Sequence, residues 1–301
     1  MDKFICNVST PINSIGSHLK NHFGKKTIKL SLDGGFTCPN RDGSKGVGGC
    51  IFCSADGSGD FASTIPDQIE LLSTKWPDSK HLAYFQNHTN TYAPVSELRE
   101  KYYSVLSNPS ISGIVIATRP DCLTDEIYDL LSEINKKTFL WVELGLQTIH
   151  EGTATLINRC YTLDVYDEAI KRLLDLNIKT VVHLILGLPG ESRQQMLESV
   201  KYVCKDDIFG IKLHMLNVVK GSQMEIKYPD YVSFDSIDEY VNLVVDALEI
   251  IPSHITIHRM SADAPRPILI SPEWSYQKRT ILNGIHKELK KRNSWQGKFA
   301  D

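Results

Sequence analysis

Three cysteines in one glycine-rich loop are the residues of this sequence best placed to do chemistry. Cys38, Cys50 and Cys53 have the spacing C-x11-C-x2-C within CPNRDGSKGVGGCIFC, and no fourth cysteine lies nearby. Thiolates at such spacing bind metal. Four ligands would complete a structural site, whereas three leave one coordination position open for a reacting molecule. The loop therefore predicts an iron centre for redox catalysis on a bound small molecule.

The cysteines alone leave two kinds of metal centre open. An iron–sulfur cluster normally takes four cysteines, so three would hold three irons and leave the fourth iron to an outside ligand. The alternative is a zinc site, completed by a histidine or by the remote Cys122, Cys160 or Cys204. Because C-x2-C is common in zinc proteins, the loop by itself does not decide between them.

The composition is that of a soluble globular protein. Its 301 residues suffice for one large domain or two small ones, and 42% of them are hydrophobic, enough for a substantial core. The net charge of −3 gives no global signature of nucleic-acid binding, so only a local patch could serve that purpose. We find no signal peptide and no apolar run near the ~18 residues of a membrane span. We therefore expect a cytoplasmic protein with reduced thiols and no membrane partner.

Short β-rich runs alternate with amphipathic helical stretches along the chain. Strands are predicted at Thr27–Leu32, Leu82–Gln86, Gly113–Thr118, Phe139–Gln147, Thr180–Gly187, Ile211–Val219 and, more weakly, Ile255–Met260. Helices are predicted at Pro66–Thr74, Val95–Ser107, Thr124–Asn135, Leu163–Leu176, Ser192–Cys204, Phe234–Ile250 and Tyr276–Lys291. Repeated strand–helix units predict a parallel sheet with right-handed crossovers. Six such units fit an open α/β barrel better than a flat doubly wound sheet.

Several of the predicted strands carry a row of polar residues on one face. Glu143 and Gln147 share a face of their strand, because side chains alternate along a strand. Lys212 and His214 share a face of the predicted strand Ile211–Val219. His183 lies on one face of the predicted strand Thr180–Gly187. A strand covered by helices on both faces is nearly all apolar. The polar rows therefore predict a shared, ligand-holding lumen, and a half-solvated antiparallel sheet is the alternative.

Further motifs resemble the radical S-adenosylmethionine (SAM) superfamily. The cysteines that follow a strand, Phe52 just before the third cysteine, and the βα repeats carry this resemblance. The expanded cysteine loop is similar to that of the Elongator catalytic-subunit-like branch, as are TRPD at Thr118–Asp121, ELGLQT at Glu143–Thr148, NRCYT at Asn158–Thr162 and HLILGLPGE at His183–Glu191. AYFQNHTNTYAP at Ala83–Pro94 and DAPRPILISPEW at Asp263–Trp274 look like a smaller bacterial subgroup.

The resemblance implies a fold and two cofactors. The fold is a partial (βα)6 radical SAM barrel over residues 20–260, followed by a C-terminal loop and basic helix over residues 261–301. Cys38, Cys50 and Cys53 would hold a 4Fe-4S cluster. One electron from the cluster would cleave SAM to methionine and a 5′-deoxyadenosyl radical, which abstracts hydrogen from a substrate carbon. A flavodoxin- or ferredoxin-type protein would donate that electron.

The resemblance also implies cofactor contacts on the lumen side. These are Phe52, Gln86, Asn90, Glu143, Gln147, Arg159 and His183. Gln86 and Asn90 follow the second strand, where the superfamily usually has a GGE-like segment that this sequence lacks. Glu143 and Gln147 would bind ribose hydroxyls or the methionine amine, and Arg159 the methionine carboxylate, which a guanidinium matches bidentately. The structural alternatives are a surface position for Arg159 and a buried ion pair for Glu143.

The Elongator-like resemblance implies tRNA as the substrate. For the bacterial subgroup, the implied reaction is processing of the carboxymethylaminomethyl group of the wobble uridine (U34) to aminomethyl. The basic C-terminal helix would contact the phosphate backbone, although a solvated charged face is the usual role of such a helix. Two alternatives are the same radical chemistry on a small metabolite and a non-enzymatic zinc-binding RNA module.

Overall fold

The computed structural model describes residues 5–54, 57, 62–262 and 264–300, so Asp263 of the DAPRPILISPEW motif lies outside it. The strands are β1 (Thr27–Leu32), β2 (Lys80–Phe85), β3 (Ile111–Thr118), β4 (Phe139–Gln147), β5 (Lys179–Leu186), β6 (Gly210–Met215), β7 (Val218–Val219), β8 (Thr256–Arg259) and β9 (Leu269–Ser271). Seven of them form one sheet in the order β1-β2-β3-β4-β5-β6-β8, with every neighbouring pair parallel. β7 and β9 form a separate antiparallel ribbon.

Helices connect the strands of the large sheet. They are α1 (Ile15–Phe23), α2 (Ile65–Ser73), α3 (Val95–Leu106), α4 (Asp125–Lys137), α5 (Glu151–Leu156), α6 (Leu163–Asp175), α7 (Arg193–Val203), α8 (Gln223–Lys227), α9 (Ile237–Ile250) and α10 (Lys278–Lys291). Short 3₁₀ turns occupy Pro120–Cys122 and Glu273–Tyr276. The sheet order follows the chain order, so the sheet curls into a half-barrel with the helices outside. The prediction of a partial α/β barrel is confirmed, and the parallel pairing rules out the antiparallel alternative.

The two faces of the sheet are packed differently. On β4, Val142 and Leu144 belong to the main core between sheet and helices. Trp141, in the same strand, points the other way and packs with Tyr84 and Val181 in a smaller cluster inside the barrel. This is the alternation expected from the sequence, since successive side chains of a strand lie on opposite faces. The inner face is therefore apolar at the amino end of the strands and polar further along.

α1 closes the amino end of the barrel. Ser14 caps this helix by accepting the backbone N–H of Ser17, and it also forms a parallel bridge to Ile257 in β8. The helix contacts both β1 and β8, which are the two edges of the sheet. Its buried Leu19 packs inside the barrel with Leu82 and Trp141. The lumen consequently has an apolar plug at this end.

The C-terminal segment is fixed to the barrel by both apolar and polar contacts. Ile281, Ile285 and Leu289 of α10 are buried in the main core, and α10 packs against α9. Gln296 is fully buried, accepts the backbone N–H of Asn13 at 2.9 Å and donates to two backbone carbonyls after α9. The boundary predicted between residues 260 and 261 stays a prediction.

One predicted strand is wrong in extent. Ile211–Val219 was expected to be continuous, but β6 ends at Met215 and Val218–Val219 joins the other ribbon. The reason is that β5 ends at Leu186, so the parallel ladder has only one further bond, from the Leu216 amide to the Leu186 carbonyl. The short helices α1, α5 and α8 were not expected, because each has few apolar positions for a helical pattern.

Candidate functional site

The three cysteines and the polar rows line one cavity of about 370 Å³. It lies inside the half-barrel, with the cysteine loop at the carboxyl end of the strands. Among its lining residues are Cys38, Cys50, Cys53, Phe52, Gln86, Glu143, Gln147, Arg159 and His183. The structure thus brings together all the predicted site residues except Asn90, which does not line the cavity. Lys212, His214 and Arg259 also line it.

The donor set of the alternative zinc site is not assembled in the described part of the chain. There, no group of three or more His, Cys, Asp or Glu side chains is arranged to hold a single metal ion. Cys160 lines a different, more open cavity of about 660 Å³ outside the barrel, which none of the three loop cysteines reaches. A 4Fe-4S cluster does not require the three thiolates to meet at one ion, because each thiolate binds a different iron atom.

The cysteine loop is held in shape by its own backbone and by Asn40. The amide of Arg41 donates to the carbonyl of Cys38 at 2.8 Å, and the amide of Cys53 to that of Cys50 at 3.0 Å. The fully buried Asn40 donates its side-chain amide to the carbonyl of Asn158 and approaches the Cys50 sulfur at 3.5 Å. The hydrogen bond from Cys53 and burial raise the pKa of the Cys50 thiol well above its usual value. Loading a metal centre here therefore displaces protons.

Arg119, in the TRPD motif, supplies positive charge beside the cysteines. Its guanidinium makes a two-point ion pair with Asp121 at 2.9 and 3.0 Å, and it donates to the carbonyl of Arg159 at 2.8 Å. Burial disfavours its charge, but Asp121 outweighs burial and raises the pKa of Arg119, with the Cys50 and Cys38 thiols adding to the rise. The sequence marked this motif without giving Arg119 a role. A charged guanidinium here stabilises thiolates in the loop.

Arg159 is used mainly to fix the chain. It is 1% exposed and donates to the carbonyls of Thr148, Leu146 and Tyr161, with an ion pair to Glu151 at 3.3 Å. Four of its five N–H groups are thus engaged within the protein. The geometry favours a positioning role over the surface position considered from sequence. Binding of the methionine carboxylate by Arg159 stays a prediction.

Asn90 and Gln86 have different surroundings although they lie close in sequence. Asn90 is fully buried and donates to the carbonyls of Phe85 and Ala117, so it ties the ends of β2 and β3 together. Its side-chain oxygen is buried without a hydrogen-bond partner among the described residues, and its predicted cofactor contact stays a prediction. Gln86 does line the cavity, and its side-chain oxygen accepts the hydroxyl of Ser31 at 3.1 Å.

Glu143 is the centre of a buried polar network in the lumen. Its carboxylate accepts hydrogen bonds from Lys212 at 2.5 Å, Tyr84 at 2.6 Å, His183 at 3.0 Å and Trp141 at 3.0 Å. Lys29 adds a fifth donor at 3.4 Å from the wall of the barrel. All these contacts satisfy a side chain with no exposed surface. The buried ion-pair alternative is therefore part of the structure, and the cofactor role of Glu143 stays a prediction.

The charges of this network follow from its contacts. Burial alone raises the pKa of a carboxyl, but Lys212, Lys29 and His183 outweigh burial and hold the pKa of Glu143 well below its usual range. Burial and the charge of Lys212 lower the pKa of His183 to about 4. The imidazole of His183 is consequently neutral at neutral pH and donates one N–H to Glu143. Burial also lowers the pKa of Lys212 well below its usual value, although the carboxylate of Glu143 at 2.5 Å opposes that effect. This part of the lumen thus combines one carboxylate with two lysine side chains.

Comparison with known proteins identifies the class. The family model "Radical SAM superfamily" matches residues 38–203, and that of the "Radical_SAM C-terminal domain" matches residues 208–291. This chain belongs to the radical SAM superfamily. The Bacillus subtilis protein YtqA is 48% identical to it, over 97% of this chain and 94% of YtqA.

Two further comparisons bear out the predicted likeness to the Elongator-like, or Elp3-like, branch, one in sequence and one in fold. Elongator complex protein 3 of Danio rerio is 30% identical over 56% of this chain, which corresponds to 31% of that protein. The structure of the archaeal Methanocaldococcus infernus Elp3 with an N-terminal deletion aligns with a TM-score of 0.65 and 17% identity. That alignment covers 90% of this chain and 64% of the archaeal one. The predicted resemblance to this branch is confirmed, and the chain spans only part of these larger proteins.

The family decides between the two metal centres considered from sequence. Radical SAM enzymes use a 4Fe-4S cluster and SAM, so the non-enzymatic zinc module is wrong. The donor set fits the cluster, because three cysteines without a fourth line the cavity beside the charged Arg119. Cys38, Cys50 and Cys53 would hold the cluster, which supplies the electron that cleaves SAM to give a radical. The residues of the chain hold the loop, orient the ligands and surround them with protein. No helix in the described ranges is both long and apolar enough to cross a membrane.

Proposed function

We propose that this enzyme acts on tRNA and converts the carboxymethylaminomethyl group of the wobble uridine (U34) to aminomethyl. The observation that carries the proposal is the buried polar network around Glu143, which lines the same cavity as the three cysteines. A side group reaching into this lumen would meet both the radical source and groups that can bind a charged end. The carbon between nitrogen and the carboxylate gives a stabilised radical when it loses hydrogen. Return of one electron from this radical to the oxidised cluster would leave an imine, and water would split the imine into the aminomethyl group and glyoxylate. Membership of the Elp3-like branch supports RNA as the substrate class.

A basic surface on the C-terminal helix supports the same substrate class. Lys278, Arg279, Lys287, Lys290 and Lys291 are exposed on α10. Arg292, at the end of the helix, is instead engaged by Asp246, Glu249 and Glu288. Lys291 also pairs with Glu288 at 3.1 Å. Exposed basic side chains can contact phosphates and release counterions, which is the main source of affinity for nucleic acid.

We propose that the electron comes from a flavodoxin- or ferredoxin-type protein docked on the cysteine loop. The outer part of the loop is at the surface, and Val47 within it is 75% exposed. A donor seated there would come close to the cluster without entering the lumen.

Two measurements test the tRNA proposal. The wobble-uridine nucleosides of cells with and without the gene should differ, with carboxymethylaminomethyl derivatives accumulating when the gene is absent. The anaerobically reconstituted enzyme should release more 5′-deoxyadenosine when given tRNA carrying that group. Unchanged nucleosides would remove the substrate assignment and leave the radical SAM assignment intact.

A small metabolite is the second candidate substrate. The cavity of about 370 Å³ lies within the range of ordinary small-molecule sites. The two candidates differ in the role of α10, because a free metabolite does not need an exposed basic helix. Turnover that is unaffected by tRNA and by neutral substitutions of the α10 lysines would favour the metabolite.

A further inference from the structure

Lys212 has one N–H donor in the lumen that makes no hydrogen bond to the described residues. It is the third residue of β6, it lines the cavity, and it is only 3% exposed. An ammonium carries three N–H donors. One goes to Glu143 at 2.5 Å and one to the hydroxyl of Tyr84 at 3.1 Å. The third has no partner among the described residues.

A side-chain nitrogen of His214, on the same face of β6, also lacks a hydrogen-bond partner. Its Nε2 is buried and has no hydrogen-bond partner in the described part of the chain. Its ring lies 5.1 Å from that of His183, and both rings line the cavity. Burial lowers the pKa of His214 well below its usual value, so the ring is neutral. Buried polar atoms nearly always have a partner, and an exception in a cavity indicates a ligand or water.

The charge of this region favours an anionic ligand. Lys29 and Lys212 both contact Glu143, so two lysines stand against one carboxylate among the described residues. Glu143 is the only acidic side chain among the described residues that line the cavity. A buried excess of positive charge is costly unless an anion balances it.

The position of the two donors assigns them to the substrate. The cysteine loop follows the carboxyl end of β1, whereas Lys212 is level with His183 in the middle of the sheet. Lys212 therefore lies deeper in the lumen than the cysteine loop, where SAM would meet the cluster, and His214, level with Ile185, lies between the two. A carboxylate has two oxygens, which match the two donors.

We infer that Lys212 and His214 form a binding site for a carboxylate carried by the substrate. The inference rests on the proposed function, because a carboxymethylaminomethyl group ends in a carboxylate. Binding of this carboxylate by Lys212 and His214 would set how far the side group enters the lumen, and it would present the inner carbons of the side group to the radical. Lys212 and His214 are thus specificity-determining residues.

The test compares two anticodon stem-loop RNAs, one with the carboxymethylaminomethyl group and one with the corresponding primary amide. With the anaerobically reconstituted enzyme and SAM, kcat/KM for consumption of the acid RNA should exceed that of the amide RNA roughly tenfold to a hundredfold. Lys212→Met and His214→Phe should lose most of this preference, since each keeps a side chain of similar size. Equal use of the two RNAs by the unaltered enzyme would overturn the inference while leaving the proposed function standing.

Lys29→Met is the matched control. Lys29 also contacts Glu143, but it does not line the cavity, so its loss disturbs the same ion pair without removing a ligand. This variant should retain the preference for the acid RNA. A preference lost equally in Lys29→Met and Lys212→Met would contradict the inference, because the effect would then come from Glu143.

A second measurement decides the inference if neither RNA is consumed. That result would reject the proposed function. Calorimetric titration of the SAM-loaded enzyme with N-acetylglycine and N-acetylglycinamide would then test the site alone. Saturable binding of the acid only, lost in Lys212→Met, would keep the carboxylate site, and equal or absent binding would refute it.

Discussion

At the scale of single residues, the lumen is organised around one buried carboxylate. Glu143 is held by donors from β1, β2, β4, β5 and β6, so it links most of the sheet through one side chain. Removing one partner from a buried pair is costly, at roughly 3–5 kcal/mol, because the other charge stays behind. The two lysines around this single carboxylate are consistent with the proposed carboxylate ligand.

Substitution of a cysteine that lines the cavity should abolish the cluster. Cys50→Ser should leave the reconstituted protein with little iron and sulfide, and 5′-deoxyadenosine formation should fall to background, because a hydroxyl does not replace a thiolate ligand. Iron and sulfide analysis after anaerobic reconstitution measures the first effect, and chromatography of the SAM products the second.

Cys204→Ser is the control for that experiment. Cys204 caps the C-terminal end of α7, far along the chain from the loop, and burial raises the pKa of its thiol to about 12. Full iron content and activity are expected. Equal iron loss in both variants would mean that the cluster does not depend on the loop cysteines.

Residue-level predictions from sequence succeeded where type and spacing carry the information. The three cysteines and the shared face of Lys212 and His214 follow from spacing and from the period of a strand. The pairing of Lys212 with Glu143 could not be foreseen, since it depends on how β4 and β6 curve toward each other. The burial of Asn90 away from the cavity lining could not be foreseen either, because a buried amide that ties two strand ends looks the same in sequence as a ligand-binding amide.

At the scale of elements, the turn between β5 and α7 shows why HLILGLPGE contains two glycines. Gly187 and Gly190 both have a φ of +84°, in the left-handed region. They differ in their neighbours, because a Cβ on Gly187 would lie 2.7 Å from the Phe234 ring and 2.8 Å from the Ser233 Cβ. A Cβ on Gly190 would meet nothing within 4 Å.

Gly187→Ala should destabilise the protein more than Gly190→Ala. Both pay about 1–2 kcal/mol for the left-handed backbone, and crowding at Gly187 adds roughly 1–3 kcal/mol. Urea unfolding of the two variants beside the unaltered protein measures the difference. Equal losses would show that Phe234 moves aside at no cost, so that the turn is held by backbone conformation alone.

The elements themselves were mostly predictable because their patterns are local. β4 was predicted with the bounds that the structure has, since it is a long alternating run between two turns. The end of β6 was not, because it is set by the length of its neighbour β5. α7 begins at a capping box of Ser192 and Gln195, whereas Thr124 before α4 makes no side-chain cap although its sequence resembles one.

At the scale of the whole molecule, the exposed lysines of α10 should account for much of the affinity for RNA. Lys287→Gln combined with Lys290→Gln should weaken binding of tRNA and reduce the slope of log affinity against log salt by about 1.5–2. Filter binding or anisotropy at several salt concentrations gives both quantities. The double substitution lies away from the lumen, so cleavage of SAM without RNA should not change.

Lys136→Gln combined with Lys171→Gln is the matched pair on another surface. Both lysines are exposed, on α4 and α6, and the pair removes the same number of charges. Its salt slope should stay close to that of the unaltered protein. Equal changes in the two pairs would indicate general attraction of RNA to a basic surface, without a particular docking face.

The helix that plugs the amino end of the barrel has a consequence for any large substrate. Leu19 and its neighbours close the lumen at the amino end of the strands, so a substrate has to enter from the carboxyl end or from the open side of the half-barrel. A folded RNA can insert only a single protruding nucleotide into a lumen closed in this way. The proposed uridine would have to swing out of the anticodon stack before reaction, and an anticodon that resists unstacking should be a poor substrate whatever chemical group it bears.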